Sequence, residues 1–148
     1  MNLPLRKSWS VADSLLLGSL VALCAWVHRQ ALGDIAAIGL GREEQSHIIL
    51  VPLVAFWLFW IRRSRLRSLQ VSRSLAGPAI VLLGVGLEAL GVALDIQALW
   101  HLAPLVSFLG AVVSLTGLQV VRKFAPVFIA LLFMVPVPGT VRHLIGRG

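Results

Sequence analysis

Only 13% of the 148 residues are charged, and just six of them are acidic. A soluble domain of this length carries about a quarter charged residues, because its surface must face water. The deficit argues against a soluble all-α domain. There is a single cysteine, Cys24, which leaves no partner for an intramolecular disulfide and no cysteine-based metal cage. No phosphate-cradling glycine loop, nucleophile elbow or HExxH pair occurs, so the common signatures of nucleotide, serine-hydrolase and zinc-protease chemistry are missing. Thirteen Lys and Arg against the six acids give a net charge of +7. The basic residues form no stripe interleaved with aromatics; they flank apolar runs, as topology signals do, and nucleic acid is not an expected partner.

What remains is apolar: 58% of the chain is hydrophobic, in runs over residues 11–32, 47–61, 76–94, 99–121 and 124–135. This is the composition of a chain solvated by lipid. The expectation is an all-α, polytopic helical membrane protein forming one transmembrane domain over residues 1–148, with about five segments. A helix rises about 1.5 Å per residue, so about 20 residues cross the ~30 Å hydrocarbon core. The first, third and fourth runs meet that length. The second spans about 22 Å and reaches about 28 Å only by drawing residues 43–46 into the interface. The fifth spans about 18 Å before Pro136 and Pro138 interrupt it, so it crosses only as a broken or re-entrant segment shielded by other protein.

Orientation follows from the loops. Arg6, Lys7, Arg62, Arg63, Arg65, Arg67, Arg73, Arg122 and Lys123 hold nine of the thirteen basic positions and alternate to one side. By the positive-inside rule that side, with the N-terminus, is cytoplasmic. Trp9, Trp57 and Trp60 then fall near the inner interface, and Trp26 and Trp100 near the outer. Residues 31–33 faintly resemble a signal-peptide cleavage site, but Trp26, His28 and Arg29 stand between it and the apolar centre. Leu23 occupies the position where a lipoprotein signal needs a small residue.

The cluster Glu43-Glu44-Gln45-Ser46-His47 is the most unusual feature. Carboxylates favour a helix N-terminus and Ser46 can cap it; that reading leaves His47 unexplained and keeps Glu44 and His47 as candidates for lining a site. As metal ligands they lack a third partner, since His28, His101 and His143 are scattered, and neither metal nor cofactor is expected. Glu88 lies inside the third run, where an acid costs a few kcal/mol unless partnered, so it should face protein. Gly77, Gly84 and Gly91 repeat every seven residues, and Ser107, Gly110, Ser114 and Gly117 form a small-residue stripe on the next run. Such stripes let helices approach closely. They predict an antiparallel hairpin turning near Asp95-Ile96-Gln97, with Glu88 facing Ser107 or Ser114; a structural hydrogen bond and a functional site both remain open for Glu88. Pro52 should kink the second helix. The arginines after Ile61 read as a topology determinant with anionic lipid contact as a by-product.

The stretch Glu44-Gln45-Ser46-His47-Ile48-Ile49-Leu50-Val51-Pro52-Leu53, followed by Trp60-Ile61-Arg62-Arg63, resembles a helix of the exosortase/archaeosortase family. Phe133-Met134-Val135-Pro136-Val137-Pro138 resembles that family's F-M-x-P-x-P segment, and the intervening helices match in length and glycine content. The resemblance implies a multi-pass cysteine protease and transpeptidase of the bacterial inner membrane. Its substrates would be exported proteins that end in a sorting motif, a transmembrane helix and a basic tail. The site would open on the outer face, where His47 falls. His47, Pro52, Pro136 and Pro138 carry over; Cys24 does not match the nucleophile's position. In the family the cysteine, an arginine and a further basic or histidine residue follow the proline segment. The chain is therefore expected to be the N-terminal, non-catalytic portion, inactive alone, with a partner carrying the remaining helices. A small transporter or channel subunit, with Glu88 near a permeation path, and an accessory subunit without chemistry stay open as alternatives.

Overall fold

The computed structural model describes residues 10–41, 47–68 and 72–135, and every regular element among them is helical. In chain order these are α1 (Val11–Val27), α2 (Arg29–Gly41), α3 (His47–Ile61), a 3-10 turn (Arg63–Ser68), α4 (Ala76–Ala93), α5 (Gln97–Thr116), α6 (Gln119–Lys123) and α7 (Ala125–Leu132). Helices α4 and α5 are long and apolar enough to cross a membrane, and the α1–α2 pair is a third candidate if it is one broken span. Large apolar side chains such as Leu53, Phe56, Trp57, Leu82 and Leu83 face outward. An apolar exterior on a helical bundle is the arrangement lipid stabilises.

The centre of the bundle is the α4–α5 hairpin. Its turn falls where expected: α4 ends at Ala93, Asp95 takes φ +54°, and α5 begins at Gln97. Gly77, Gly84 and Gly91 are buried against Ser114, Ser107 and Trp100, so the seven-residue step on α4 meets a seven-residue step on α5. A Cβ on Gly84 would overlap the Ser107 hydroxyl, and one on Gly91 would lie 2.6 Å from the Trp100 nitrogen. Van der Waals packing at this range drives helix association in lipid, where the surrounding tails are as apolar as the helices. Helix α5 ends earlier than the apolar run suggests, at Thr116, because Gly117 takes φ +68°, a conformation that residues with a side chain rarely adopt. The backbone amides of Ser72 and Ser74 donate to the Leu115 and Ser114 carbonyls at 3.0 and 3.2 Å. They satisfy groups that a helix end leaves open.

The first apolar run is not one straight segment over 11–32. Ser10 and Asp13 form a reciprocal capping box that starts α1. The helix then breaks at His28, and α2 leaves at 73°. His28 is held inside the bundle while Arg29 turns out of it, donating to the Trp26 carbonyl at 3.2 Å and lying over the Trp26 ring. One buried polar residue followed by one outward cation bends the chain where composition alone reads on. Helix α2 packs on α3 and α5 through Ala31, Ile35 and Gly39, with Gly39 fitted against Ile48 and Ile49. Pro52 lies within α3 and points outward.

Charge is segregated along the bundle axis. The start of α1, the end of α3, the start of α4 and the end of α5 share one end, tied by Arg65 donating to the Lys123 carbonyl at 3.3 Å and by Phe59 packed at a tilt against Phe124. Arg62, Arg63, Arg65, Arg73, Arg122 and Lys123 all belong to it. At the opposite end α2 lies against the first turns of α5, with Asp34 on His101.

Candidate functional site

Two of the buried polar residues, His28 and Ser107, meet at one turn of α5. His28, which ends α1, is fully buried. Its Nε2 lies 2.7 Å from Ser107 Oγ, and its Nδ1 lies 2.6 Å from Glu88 Oε2 on α4. The Nδ1 contact is close but makes no hydrogen bond. Cys24, one turn earlier on α1, donates its thiol to the Ser107 carbonyl at 3.8 Å. Three helices thus meet through Ser107: α1 by Cys24 and His28, α4 by Gly84 and Glu88, and α5 itself. A ring nitrogen and a serine hydroxyl can each donate or accept, so the tautomer of His28 sets the direction of the bond to Ser107.

Serine, histidine and carboxylate follow one another here in the order of a nucleophilic triad. The order alone does not make a nucleophile. Ser107 has no exposed surface, and the Gly84 backbone is pressed against it. An acyl carbonyl has no room to approach its oxygen, and a triad needs space for the tetrahedral centre beside oxyanion donors. The arrangement works as a tie between helices.

A second tie lies nearer the α2 end. His101 on α5 is buried, with Nε2 2.8 Å from Asp34 Oδ2 on α2, and its ring stacks beside Trp100 at 5.1 Å. Asp34 is 38% exposed at its side chain, so this pair sits at the rim of the bundle and the His28 group deep within it.

The sequence-predicted residues divide accordingly. Gly84, Glu88 and Ser107 are brought to one place. Glu88 does not pair with Ser107 or Ser114, as the two-helix reading expected. A third helix inserts His28 between Glu88 and Ser107, and the Ser114 hydroxyl donates to the Gly110 carbonyl of its own helix at 2.8 Å. Glu44, Pro136, Pro138 and the side chain of His47 lie outside the described residues. The sequence reading named His28 and His101 only as scattered histidines, and it did not anticipate the partners of either or a role for Asp34. The available signal was their position: each is an ionisable residue in or at the end of an apolar run, where ionisable groups find partners. No group of three or more His, Cys, Asp or Glu side chains able to hold a metal ion lies among the described residues.

The family model for transmembrane exosortases matches residues 39–145, over two thirds of the chain. The chain belongs to the transmembrane exosortase family. No curated protein and no solved structure matches it. The exosortase match takes in α3 to α7, and with them Glu88, His101 and Ser107. Helix α1 and most of α2 precede it, and they carry Cys24, His28 and Asp34. Both ties therefore join the matched exosortase region to the helices in front of it.

Proposed function

We propose that this chain is the N-terminal membrane portion of an exosortase-like cysteine protease and transpeptidase that processes the C-terminal sorting signals of exported proteins, and that its own thiol is not the nucleophile. The environment of Cys24 carries this reading. The thiol is buried in α1 and turned to the Ser107 carbonyl, while the nearest histidine, His28, is occupied by Ser107 and Glu88. Thiol proteolysis needs a thiolate, a base to take its proton and donors for the oxyanion. Cys24 has neither a free base nor open space, and buried structural cysteines are inert.

The same proposal places the chain in the bacterial inner membrane with about five segments, the basic end cytoplasmic and residues 43–47 outside, in keeping with the positive-inside rule. The fifth segment is broken by Pro136 and Pro138, and the site opens on the outer face near Glu44 and His47. The test is to express the chain in a bacterial membrane with a tail-anchored sorting substrate, beside its Cys24→Ser form. A third sample adds a partner carrying the family's cysteine-bearing helices. No processing by either form alone, with processing once the partner is present, is the expected result. Processing by the chain alone that disappears with Cys24→Ser would move the nucleophile into α1 and overturn the proposal.

A further inference from the structure

We propose that the groove between α1 and the α4–α5 ends at the basic pole binds one anionic phospholipid, its phosphate on Arg73 and an acyl chain along Leu16, Leu20, Leu75 and Pro78. The groove holds about 270 Å³ and is completed by Ser74, Ser114 and Leu115. A helix about 10 Å across takes roughly 1,100 Å³ over a ~14 Å length, several times this volume, whereas a single acyl chain is far thinner. Leu20 lies nine residues into α1, so the apolar wall runs roughly 14 Å inward from the start of the helix.

The mouth supplies what a phosphate needs. Arg73 is exposed and has no hydrogen-bond or ion-pair partner among the described residues. Its backbone is nevertheless held, because Ser72 and Ser74 on either side donate to the end of α5. A guanidinium offers a planar fork of donors suited to phosphate oxygens. The surrounding charge decides between headgroups. Arg62, Arg63, Arg65, Arg122 and Lys123 share this pole, and Asp13, its one acidic residue among those described, is buried and holds Ser10. A zwitterionic lipid would add a cation to this field, whereas an anionic lipid adds none. The apolar groove between α5 and α7, lined by Leu105, Leu109, Phe128 and Leu132, has no charged residue in its wall and offers no such selection.

The experiment uses the intact chain in detergent micelles, with phosphatidylglycerol or phosphatidylcholine added and bound lipid counted by native mass spectrometry. One phosphatidylglycerol should be retained in preference to phosphatidylcholine. Arg73→Gln should weaken its retention about fivefold, as expected for one basic residue at a membrane surface. Leu16→Trp, on the groove wall and already exposed, should lower retention while helix content is unchanged. Arg63→Gln is the control for general surface charge, since that guanidinium lies 4.1 Å over the Trp60 ring; it should lower retention clearly less than Arg73→Gln does. Equal binding of the two lipids overturns the proposal. So does an Arg73→Gln form that binds like the wild type, or an equal loss with Arg63→Gln. Displacement of the lipid by millimolar inorganic phosphate would show that the groove contributes nothing and would also overturn it.

Discussion

Substituting Gly84 by alanine adds one methyl group where α4 is pressed against α5. The new Cβ would overlap Ser107 Oγ and stand 2.9 Å from both the Ala103 oxygen and the Ser107 nitrogen. Two of those three atoms are backbone, so no side-chain rotation relieves the contact and α4 must move away from α5. Overpacking of this kind costs about 1–3 kcal/mol. Displacing Ser107 also disturbs its bond to His28, and interhelical hydrogen bonds in membranes average about 0.6 and reach about 1.7 kcal/mol. Alanine recovers up to about 1 kcal/mol of helix propensity over glycine. Because backbone atoms are involved, the overpacking cost belongs in the upper part of its range. The expected net loss is about 2–3 kcal/mol, or roughly 30- to 150-fold in the unfolding equilibrium.

Gly86 provides the control, for it lies on the same helix and an added Cβ there meets nothing within 4 Å. Gly86→Ala should be neutral or stabilising by up to about 1 kcal/mol. Reversible unfolding in mixed micelles, followed by helix content against denaturing detergent, measures both variants. A second substitution, Ser107→Gly on the Gly84→Ala background, removes the hydroxyl overlap but leaves the two backbone contacts. It should restore only part of the loss. If Gly84→Ala and Gly86→Ala agree to within about 0.5 kcal/mol, well inside the ordinary range of surface substitutions, the close approach of α4 and α5 at Gly84 is wrong.

His28→Ala should destabilise more than Glu88→Gln, because alanine loses both partners and leaves a cavity, while glutamine keeps the shape and removes only a charge; the same unfolding assay ranks them, and the reverse order would count against the three-helix tie. Asp34→Asn should cost less than about 1 kcal/mol, since the pair is partly exposed and solvent screens it, yet it should raise amide exchange in α2 above that in α5; equal exchange would mean that Asp34 does not hold α2. For orientation, Cys24→Ser forms with single cysteines at Ser64 or Ala37, both exposed, are treated in intact cells with an impermeant thiol reagent. Ala37 should react and Ser64 should not, and the opposite pattern would invert the proposed topology.

The α4–α5 hairpin was legible in the sequence because its cause is local and periodic. Glycines at a constant seven-residue step, facing serines and glycines on the next run, leave few other ways to pack. The turn at Asp95 was legible for the same reason. The partner of Glu88 was not. His28 lies 79 residues before Ser107, and no periodicity connects a residue at the end of one apolar run to the middle of another. The 73° bend at His28 was equally hidden. Hydropathy averages over the run, and a single polar residue drawn into the bundle does not change the average. Asp34 and His101 share the difficulty, since each looks like an isolated ionisable residue until α2 is folded back.

The manner in which α1 is held follows from its solvent. In water an apolar helix would dock by burying its surface; in lipid that driving force is absent, and what remains is close packing and polar contact. Helix α1 has little close packing to use. Among its residues only Asp13 and Cys24 are buried, and a Cβ added at Gly18 would meet nothing within 4 Å. Its attachment to the matched exosortase region therefore rests largely on Cys24 and His28, and both end on Ser107. The geometry of Ser107 is in turn set by Gly84, on the other side of α5. A disturbance at the α4–α5 contact should for this reason be felt at α1, a helix that Gly84 does not touch, because one serine is shared by both joints.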